Sequence, residues 1–222
     1  MARWAPARAD VLDEYAHEVL GLFPAGRILV GIDGLDGAGT TPFARDLAGA
    51  IDRSGVSSAA VSMDGFHHAR AVRHAGAADA RTWYDRAYDY DAFRQRVIVP
   101  FRRGEAVVLD HRSRTDDALL ADPPTWVPGD RAVLVVEGVF LHRSALVGLW
   151  HTSAWLDVPP ETAFAPCEQR DGSDPGDDGV LRRVFFGAEE LYLREADPRR
   201  RANALFDLSD PEHPRRIFAD SC

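Results

Sequence analysis

Lysine is missing from this chain altogether. All 26 basic residues are arginine, against 35 acidic residues, and the formal net charge is −9. No site in the protein can therefore use a lysine ammonium group as its cation. The acidic balance also argues against a nucleic-acid-binding protein, because such proteins usually carry a basic face.

Cysteines and long apolar runs are scarce as well. The two cysteines, Cys167 and Cys222, are too few for a disulfide framework and indicate a reduced, cytoplasmic protein. No segment approaches the roughly 20 apolar residues that cross a membrane, and the N-terminal sequence lacks the unbroken apolar core of a signal peptide. We therefore expect neither a membrane partner nor a nucleic-acid partner, and a homo-oligomer is compatible with the sequence.

What the chain does contain is a regular alternation of short apolar runs and helical patterns. Its 222 residues fit a single domain, residues 1–222. The patterns predict strands at Arg27–Asp33, Ser57–Met63, Arg131–Gly138, Ser153–Val158 and Ala202–Leu208, and helices at Val11–Phe23, Phe43–Ile51 and Asp91–Arg103. Strands separated by helices predict an α/β fold with a parallel five-stranded sheet covered by helices on both faces.

A glycine-rich segment, GLDGAGTTPFA, follows the first predicted strand. It contains Gly37, and its Gly34 and Gly39 match the two glycines of the phosphate-loop pattern G-x-x-x-x-G-K-[ST]. Thr41 stands at the position of the hydroxyl that binds magnesium. A strand, glycines and a helix N-terminus predict an anion site, because free N–H groups and the helix dipole face the ligand. The alternative is a glycine-rich turn without a ligand.

Two positions depart from that pattern. Thr40 stands where the pattern has lysine, and an arginine from elsewhere would not reproduce a point charge with its planar fork. Pro42 removes one N–H that a phosphate loop would aim at its ligand, although proline is compatible with the first turn of a helix. We expect the helix to form and the grip on phosphate to be weakened.

Two carboxylates lie where predicted strands end. Asp64 follows the strand at 57–63, and Glu137 closes the strand at 131–138. Parallel sheets bind ligands at the carboxyl ends of their strands, so Asp64 is a candidate general base, and Glu137 is a candidate catalytic residue that holds a metal, a water or a substrate group. The alternatives are a helix cap for Asp64 and a structural role for Glu137.

Further candidates belong to a substrate pocket beside Asp64. Phe66 and His67 are predicted to wall it, with ordinary packing as the alternative. Asp89 is predicted to bind two sugar hydroxyls, with a helix N-cap as the alternative. The residues after the short apolar run VVL are predicted to border the same pocket; they are Asp110, His111 and Arg112.

These motifs together resemble those of the uridine-kinase-like P-loop kinases (the phosphoribulokinase/uridine kinase group). The resemblance covers residues from about Ile28 to Asp210 and rests on blocks in the family's order: GIDGLDGAGTT, VSMDGFHHAR, AYDYDAF, VVEGVFL, CEQRDG and LYLREADPRRRANALFD. It implies a P-loop kinase fold that uses ATP and Mg²⁺. It also implies that Asp64 faces the acceptor hydroxyl and Asp89 holds the ribose. Thr41 and Glu137 would then lie at the magnesium ion.

The same resemblance implies a small arginine-bearing lid. Arg170 falls where the lid begins, and residues 171–180 are predicted to form its flexible part. The family usually carries more than one arginine there, and Arg182 and Arg183 are the candidates to take over from the following helix.

Three functions are consistent with the sequence. The first is a uridine-kinase-like protein repurposed as a small-molecule enzyme, which binds a nucleoside-like or phosphorylated ligand in the acceptor pocket with phosphoryl transfer from ATP weakened or lost. The second is an active ATP-dependent nucleoside kinase, in which an arginine and Mg²⁺ replace the lysine. The third is a non-catalytic pseudokinase that binds a nucleoside-like ligand or a protein partner.

Overall fold

The structure, a computed structural model, describes residues 6–73, 75, 79–113, 115–159 and 178–218, and for 178–182 it describes the backbone alone. Arg170 and most of the predicted lid at 171–180 lie outside these residues. Only 178–180 are described, and they begin a helix. Within the described part of the chain, no helix is both long and apolar enough to cross a membrane.

The sheet has the predicted parallel core. The strands are β1 Arg27–Gly34, β2 Ser57–Ser62, β3 Val107–Val108, β4 Thr125–Trp126, β5 Ala132–Gly138, β6 Thr152–Asp157, β7 Ala204–Asp207 and β8 Arg215–Ile217. The main sheet has the order β2-β5-β1-β6-β7-β8. Its first five strands are the five predicted ones, and they pair in parallel. The predicted α/β fold with a parallel sheet is confirmed.

The sheet differs from the prediction at one edge. Strand β8 pairs antiparallel with β7, so the described sheet has six strands rather than five. The sequence of β8 is RRI, and a short arginine-rich edge strand gives no apolar run to recognise. The VVL run does form a strand, β3, but it pairs with β4 outside the main sheet.

Helices cover both faces of the sheet. They are α1 Arg8–Leu22, α2 Thr40–Arg53, α3 Arg70–Arg73, α4 Ala80–Arg86, α5 Tyr90–Phe93, α6 Val99–Arg103, α7 Asp178–Ala196 and α8 Pro198–Arg201. A π-helical turn at Arg94–Ile98 joins α5 to α6, which makes the predicted helix at 91–103 continuous. One apolar core lies under α1 and α2, and the other lies under α4 and α7. Burial on both faces explains why the central strands are apolar throughout.

Strand register sets the position of the candidate site. Asp33 at the end of β1 is level with Gly138 of β5, and Ser62 at the end of β2 is level with Glu137. The carboxyl ends of β1, β5 and β2 therefore lie side by side. The glycine-rich loop after β1, Glu137 in β5 and Asp64 after β2 share this edge of the sheet.

Candidate active site at the phosphate-loop edge

The glycines of the loop are required by its shape. Gly37 and Gly39 have φ angles of 80° and 82°, in the left-handed region that side-chain-bearing residues rarely adopt. At Gly34 a Cβ atom would lie 2.9 Å from the Cβ of Ala38, closer than two carbons can pack. The segment after β1 is thus folded as a tight loop that leads into the N-terminus of α2.

Both threonines of the loop face Glu137. Thr40 Oγ1 donates to Glu137 Oε2 over 2.7 Å, and Thr41 Oγ1 donates to Oε1 over 3.0 Å. Glu137 is 3% exposed. The residue in the lysine position therefore binds a carboxylate of the protein itself.

Burial and neighbouring charge disfavour the ionised form of Glu137. Burial raises the pKa of Glu137, the hydroxyl of Ser62 lowers it, and the carboxylate of Asp64 raises it again. The hydroxyls of Thr40 and Thr41 add to the lowering effect. The net direction is upward, so the group holds its charge in the free protein less readily than an exposed glutamate.

A cavity lies between the loop and the ends of β2 and β5. Its lining residues are Leu35, Asp36, Gly37, Gly39, Thr40, Thr41, Asp64, Glu137, Gly138 and Val139. Three of them are carboxylates, and none of the described residues that line it is basic. A hard divalent cation is compatible with the hydroxyl and carboxylate oxygens of Thr41 and Glu137. A phosphate group would meet loop amides there, but no cationic side chain of the described residues.

Asp64 lines this cavity rather than capping a helix. The turn at Met63–Phe66 is capped by Ser62, whose side chain accepts the Asp64 N–H over 3.2 Å. The Asp64 carboxylate accepts a long hydrogen bond of 3.4 Å from the hydroxyl of Tyr88. The side chain thus lines a cavity at the carboxyl edge of the sheet, and its role as a general base stays a prediction.

The substrate-side residues come together around the same turn. The N–H of Asp89 donates to the carbonyl of Phe66 over 2.8 Å, and the N–H of Arg112 donates to the carbonyl of Gly65 over 2.9 Å. His67 forms an isolated β-bridge with Tyr88, and their rings stack with centroids 4.5 Å apart. The three sequence segments that were predicted to border one pocket are therefore neighbours.

Phe66 and Asp89 make the contacts that were given above as their structural alternatives, namely core packing for Phe66 and a helix N-cap for Asp89. Phe66 is fully buried and packs against the rings of Phe93 and His111. This is the ordinary packing given as its alternative, and its place in the wall of a substrate pocket stays a prediction. The Asp89 side chain accepts the N–H of Ala92 over 2.8 Å as the N-cap of α5. A cap uses one carboxylate oxygen of Asp89.

Asp110 and His111 lie beside the turn that carries Asp64. Oδ1 of Asp110 is buried and accepts no hydrogen bond from the described residues. A Cβ on Gly65 would lie 2.4 Å from that oxygen, which explains glycine at that position. Burial lowers the pKa of His111, and the charges of Arg96 and Arg112 act in the same direction. Arg112 is engaged with the carbonyls of His67 and Asp117.

Sequence reasoning missed a buried polar network beneath the loop. Asp33 is fully buried, and its Oδ1 accepts the N–H of Gly34 over 2.9 Å. Its Oδ2 is 2.5 Å from Nδ1 of His142, which donates to it, and it also accepts the hydroxyl hydrogen of Tyr192. Nε2 of His142 lies 2.9 Å from Ser153 Oγ. The chain thus holds the start of the phosphate loop to helix α7 through one carboxylate.

The signals for this network are weak in the sequence. Asp33 is the one polar side chain in the run ILVGID and could have been suspected of a buried partner. Nothing marks His142 or Tyr192 as its partners, because they lie 109 and 159 residues further along the chain.

The network predicts a stability effect at Tyr192. Replacing Tyr192 with phenylalanine leaves Asp33 and the His142 N–H each one hydrogen bond short. We expect the free energy of unfolding to fall by about 1–3 kcal/mol, measured from the midpoint of urea denaturation. Tyr84→Phe is the matched control, because its hydroxyl makes no hydrogen bond to a described residue. Equal midpoints for the two variants would contradict the assigned role.

Comparison with known proteins identifies the fold. No protein-family model and no curated protein matches the chain. A possible uridine kinase from Bacillus stearothermophilus superposes with a TM-score of 0.73 at 24% identity, over 89% of this chain and 98% of that one. A candidate fructose transport system kinase from Silicibacter sp. TM1040 gives 0.64 at 25% identity, over 80% of this chain and 92% of that one.

A third similar structure carries a different acceptor in its name. It is a D-glycerate 3-kinase from Cryptococcus neoformans var. grubii, with a TM-score of 0.59 at 12% identity, over 84% of this chain and 88% of that one. Each superposition extends over most of both chains, so the likeness is not limited to the phosphate loop. The chain therefore has the fold of the P-loop kinases, and its resemblance to the uridine-kinase-like group is confirmed at the level of the fold.

Proposed function

We propose that this protein is a small-molecule enzyme built on the uridine-kinase-like fold. It binds a nucleoside-like or phosphorylated ligand in the acceptor pocket around Asp64, and the loop receives the anionic group of that ligand. Phosphoryl transfer from ATP is weakened or lost. The partner is thus a small molecule.

The observation that carries the proposal is the contact between Thr40 and Glu137. The residue in the lysine position is bound to a buried carboxylate at 2.7 Å, so the loop presents a hydroxyl–carboxylate pair where a kinase presents a cation. Pro42 also lacks the backbone N–H that another residue would offer at that position. Loss of one preorganised donor to a developing charge costs roughly 10²–10³ in rate, about 2.7–4 kcal/mol. Two such losses make ATP a poor phosphoryl donor.

The acidic residues around the acceptor pocket support a catalytic protein rather than one without activity. Asp64 and Glu137 line one cavity, so a carboxylate that can accept a proton lies near a second acid. Beside them, Oδ1 of Asp110 is a buried acceptor without a partner among the described residues. Leaving such an acceptor unpaired costs roughly 1–3 kcal/mol.

A second function, an ATP-dependent nucleoside kinase, is favoured by one contact. Oγ1 of Thr41 and Oε1 of Glu137 are 3.0 Å apart. Both are oxygen ligands of the kind that Mg²⁺ prefers. In that case an arginine would have to supply the charge that Thr40 lacks. The two functions differ in how tightly they bind the nucleotide.

We expect ATP–Mg²⁺ to bind weakly, with a dissociation constant on the order of 10⁻⁴ M or higher, since each tenfold loss is about 1.4 kcal/mol. The measurement is an isothermal titration with ATP–Mg²⁺, and parallel titrations with ADP, free nucleosides and inorganic phosphate locate the ligand. A dissociation constant in the low-micromolar range for ATP–Mg²⁺ would favour the active kinase. Binding of a nucleoside without turnover of any tested substrate would favour the pseudokinase.

A further inference from the structure

Helix α7 contacts the phosphate loop through a buried acid that has no part in the proposed chemistry. Oε1 of Glu189 accepts the N–H of Asp36, in the middle of the loop, over 2.6 Å. Glu189 is 5% exposed. Asp36 itself lines the cavity that contains Asp64 and Glu137. A carboxylate of α7 therefore already binds a backbone donor of a loop whose donors are expected to bind anions.

Helix α7 packs closely against α4, and it makes a second contact near the start of the loop. A Cβ on Gly187 would lie 2.6 Å from the Cβ of Ala80 in α4, so α7 and α4 are in close contact at that turn. One turn after Glu189, the hydroxyl of Tyr192 binds Asp33. Residues three apart lie on the same helix face, so this face of α7 contacts the loop at Asp36 and the end of β1 at Asp33.

Among the described residues, no cation forms an ion pair with Glu189. Asp36 is the charged group that faces it from the loop, and it is of the same sign. On α4, Arg81 and Asp85 face α7, but Arg81 is paired with Glu195 at 2.5 Å. Asp85 is paired with Arg81 and with Arg143, from the segment after β5. Burial raises the pKa of Glu189 to about 7; the hydrogen bond from the Asp36 N–H opposes this shift, and the negative charge of Asp36 adds to it.

We propose that Glu189 is a selectivity-determining residue of the phosphate loop: its carboxylate occupies the Asp36 amide from the α7 side, and its negative charge opposes an anion in the loop. The inference rests on the proposed function in one respect, namely that the loop receives an anionic group. The ionised form of Glu189 weakens the binding of phosphate-like ligands, and the neutral form weakens it less. It thus acts together with the absence of lysine at position 40.

Two consequences follow from a charge at this position. Removing the charge while keeping an acceptor for the Asp36 N–H strengthens anion binding. By linkage, a bound anion also raises the pKa of Glu189, because each charge disfavours the other to the same extent. A purely structural Glu189 would produce neither effect.

The test uses sulfate, which stays fully ionised across the pH range studied, at constant ionic strength. Binding is followed by the amide NMR shifts of Gly34, Gly37 and Gly39. At pH 8 we expect Glu189→Gln to bind sulfate about ten-fold more tightly than the unmodified protein. We expect sulfate affinity to rise between pH 8 and pH 6 in the unmodified protein, and to rise less in the variant. Glu190→Gln, at an exposed position on the same helix, is the matched control and should leave sulfate affinity unchanged.

Equal sulfate affinities for Glu189→Gln and the unmodified protein would overturn the inference, and so would a loop whose amides do not respond to sulfate. If the variant does not fold, the carboxyl carbon of Glu189 is titrated in the unmodified protein, where sulfate should raise its midpoint and an unmoved midpoint overturns the inference. Equal sulfate affinities at a loop that does respond to sulfate overturn the inference alone, whereas a loop that does not respond also contradicts the anion site of the proposed function. Tight ATP–Mg²⁺ binding would contradict that function and leave the sulfate comparison intact.

Discussion

We expect the double variant with Thr40→Lys and Pro42→Thr to bind ATP–Mg²⁺ more tightly than the parent protein. The lysine adds the missing cation, and the threonine adds the missing N–H. We expect any ATPase or kinase rate to rise by roughly 10²–10³ or more, with a matching gain in ATP affinity. The measurements are isothermal titration with ATP–Mg²⁺ and a coupled assay of ATP consumption.

The structure adds a physical reason to expect coupling between the two changes. In the parent, Thr40 is tied to Glu137, so a lysine at that position meets a buried carboxylate. That carboxylate attracts the new ammonium group and competes with phosphate for it. The restored amide at position 42 adds a second donor to the same triphosphate, and groups that grip one ligand are not additive. Each single variant should therefore gain less ATP–Mg²⁺ affinity than the same change contributes in the double variant.

A neutral control separates charge from size. Thr40→Gln with Pro42→Thr introduces a long polar side chain without a positive charge, and it should recover only the contribution of the amide. If the lysine double variant binds ATP–Mg²⁺ no better than the parent, another part of the pocket blocks the nucleotide. Glu189, whose carboxylate lies against the loop, would then be the next residue to replace.

Asp64→Asn is expected to reduce turnover of the true substrate by about 10²–10⁴-fold, the usual contribution of positioned acid–base catalysis. Asparagine has nearly the same shape but cannot take up the proton of an attacking hydroxyl. The structure indicates little cost to folding, because Ser62, not Asp64, caps the turn at Met63–Phe66. Substrate affinity should change little. The measurement is kcat and KM on the substrate found in a panel of nucleosides, nucleotides and small metabolites.

Asp91→Asn provides the comparison for Asp64→Asn, since Asp91 is an exposed acid of α5 outside the site. It should turn over substrate like the parent. Unfolding of the Asp64 variant in thermal denaturation would instead assign Asp64 a structural role. Unchanged kcat would place the catalytic base elsewhere. If the parent turns over nothing in the panel, the pseudokinase function becomes the better account.

The sequence by itself determined the parallel core of the fold and where its ligand edge lies. Apolar runs such as ILVGID and AVLVVEG are buried on both faces of the sheet, and burial on both faces is typical of a parallel sheet between helices. The loop of Gly34, Gly37 and Gly39 could be predicted because its shape requires glycine at defined spacings. Asp64 and Glu137 could be placed near each other because both follow strands of one parallel sheet.

The edge strand β8 and the burial of Phe66 could not be predicted from local sequence patterns. Strand β8 is three residues long, RRI, and its pairing is decided by the neighbouring β7 rather than by its own composition. Phe66 follows Asp64 in a motif that resembles a substrate-binding segment, but it lies under the turn against Phe93. Which side of a short turn a ring faces depends on what packs beneath it.

Only the tertiary structure decided which groups surround the loop. Thr40 and Glu137 are 97 residues apart, and Asp36 and Glu189 are 153 residues apart, so no spacing in the sequence links them. Asp33, His142 and Tyr192 meet only because β1, the segment after β5 and helix α7 converge under the phosphate loop. A hydrogen bond depends on the distance between atoms in the folded chain. The missing lysine is thus visible in the sequence, whereas the hydrogen bonds of Thr40 to Glu137 and of Asp36 to Glu189 are visible only in the fold.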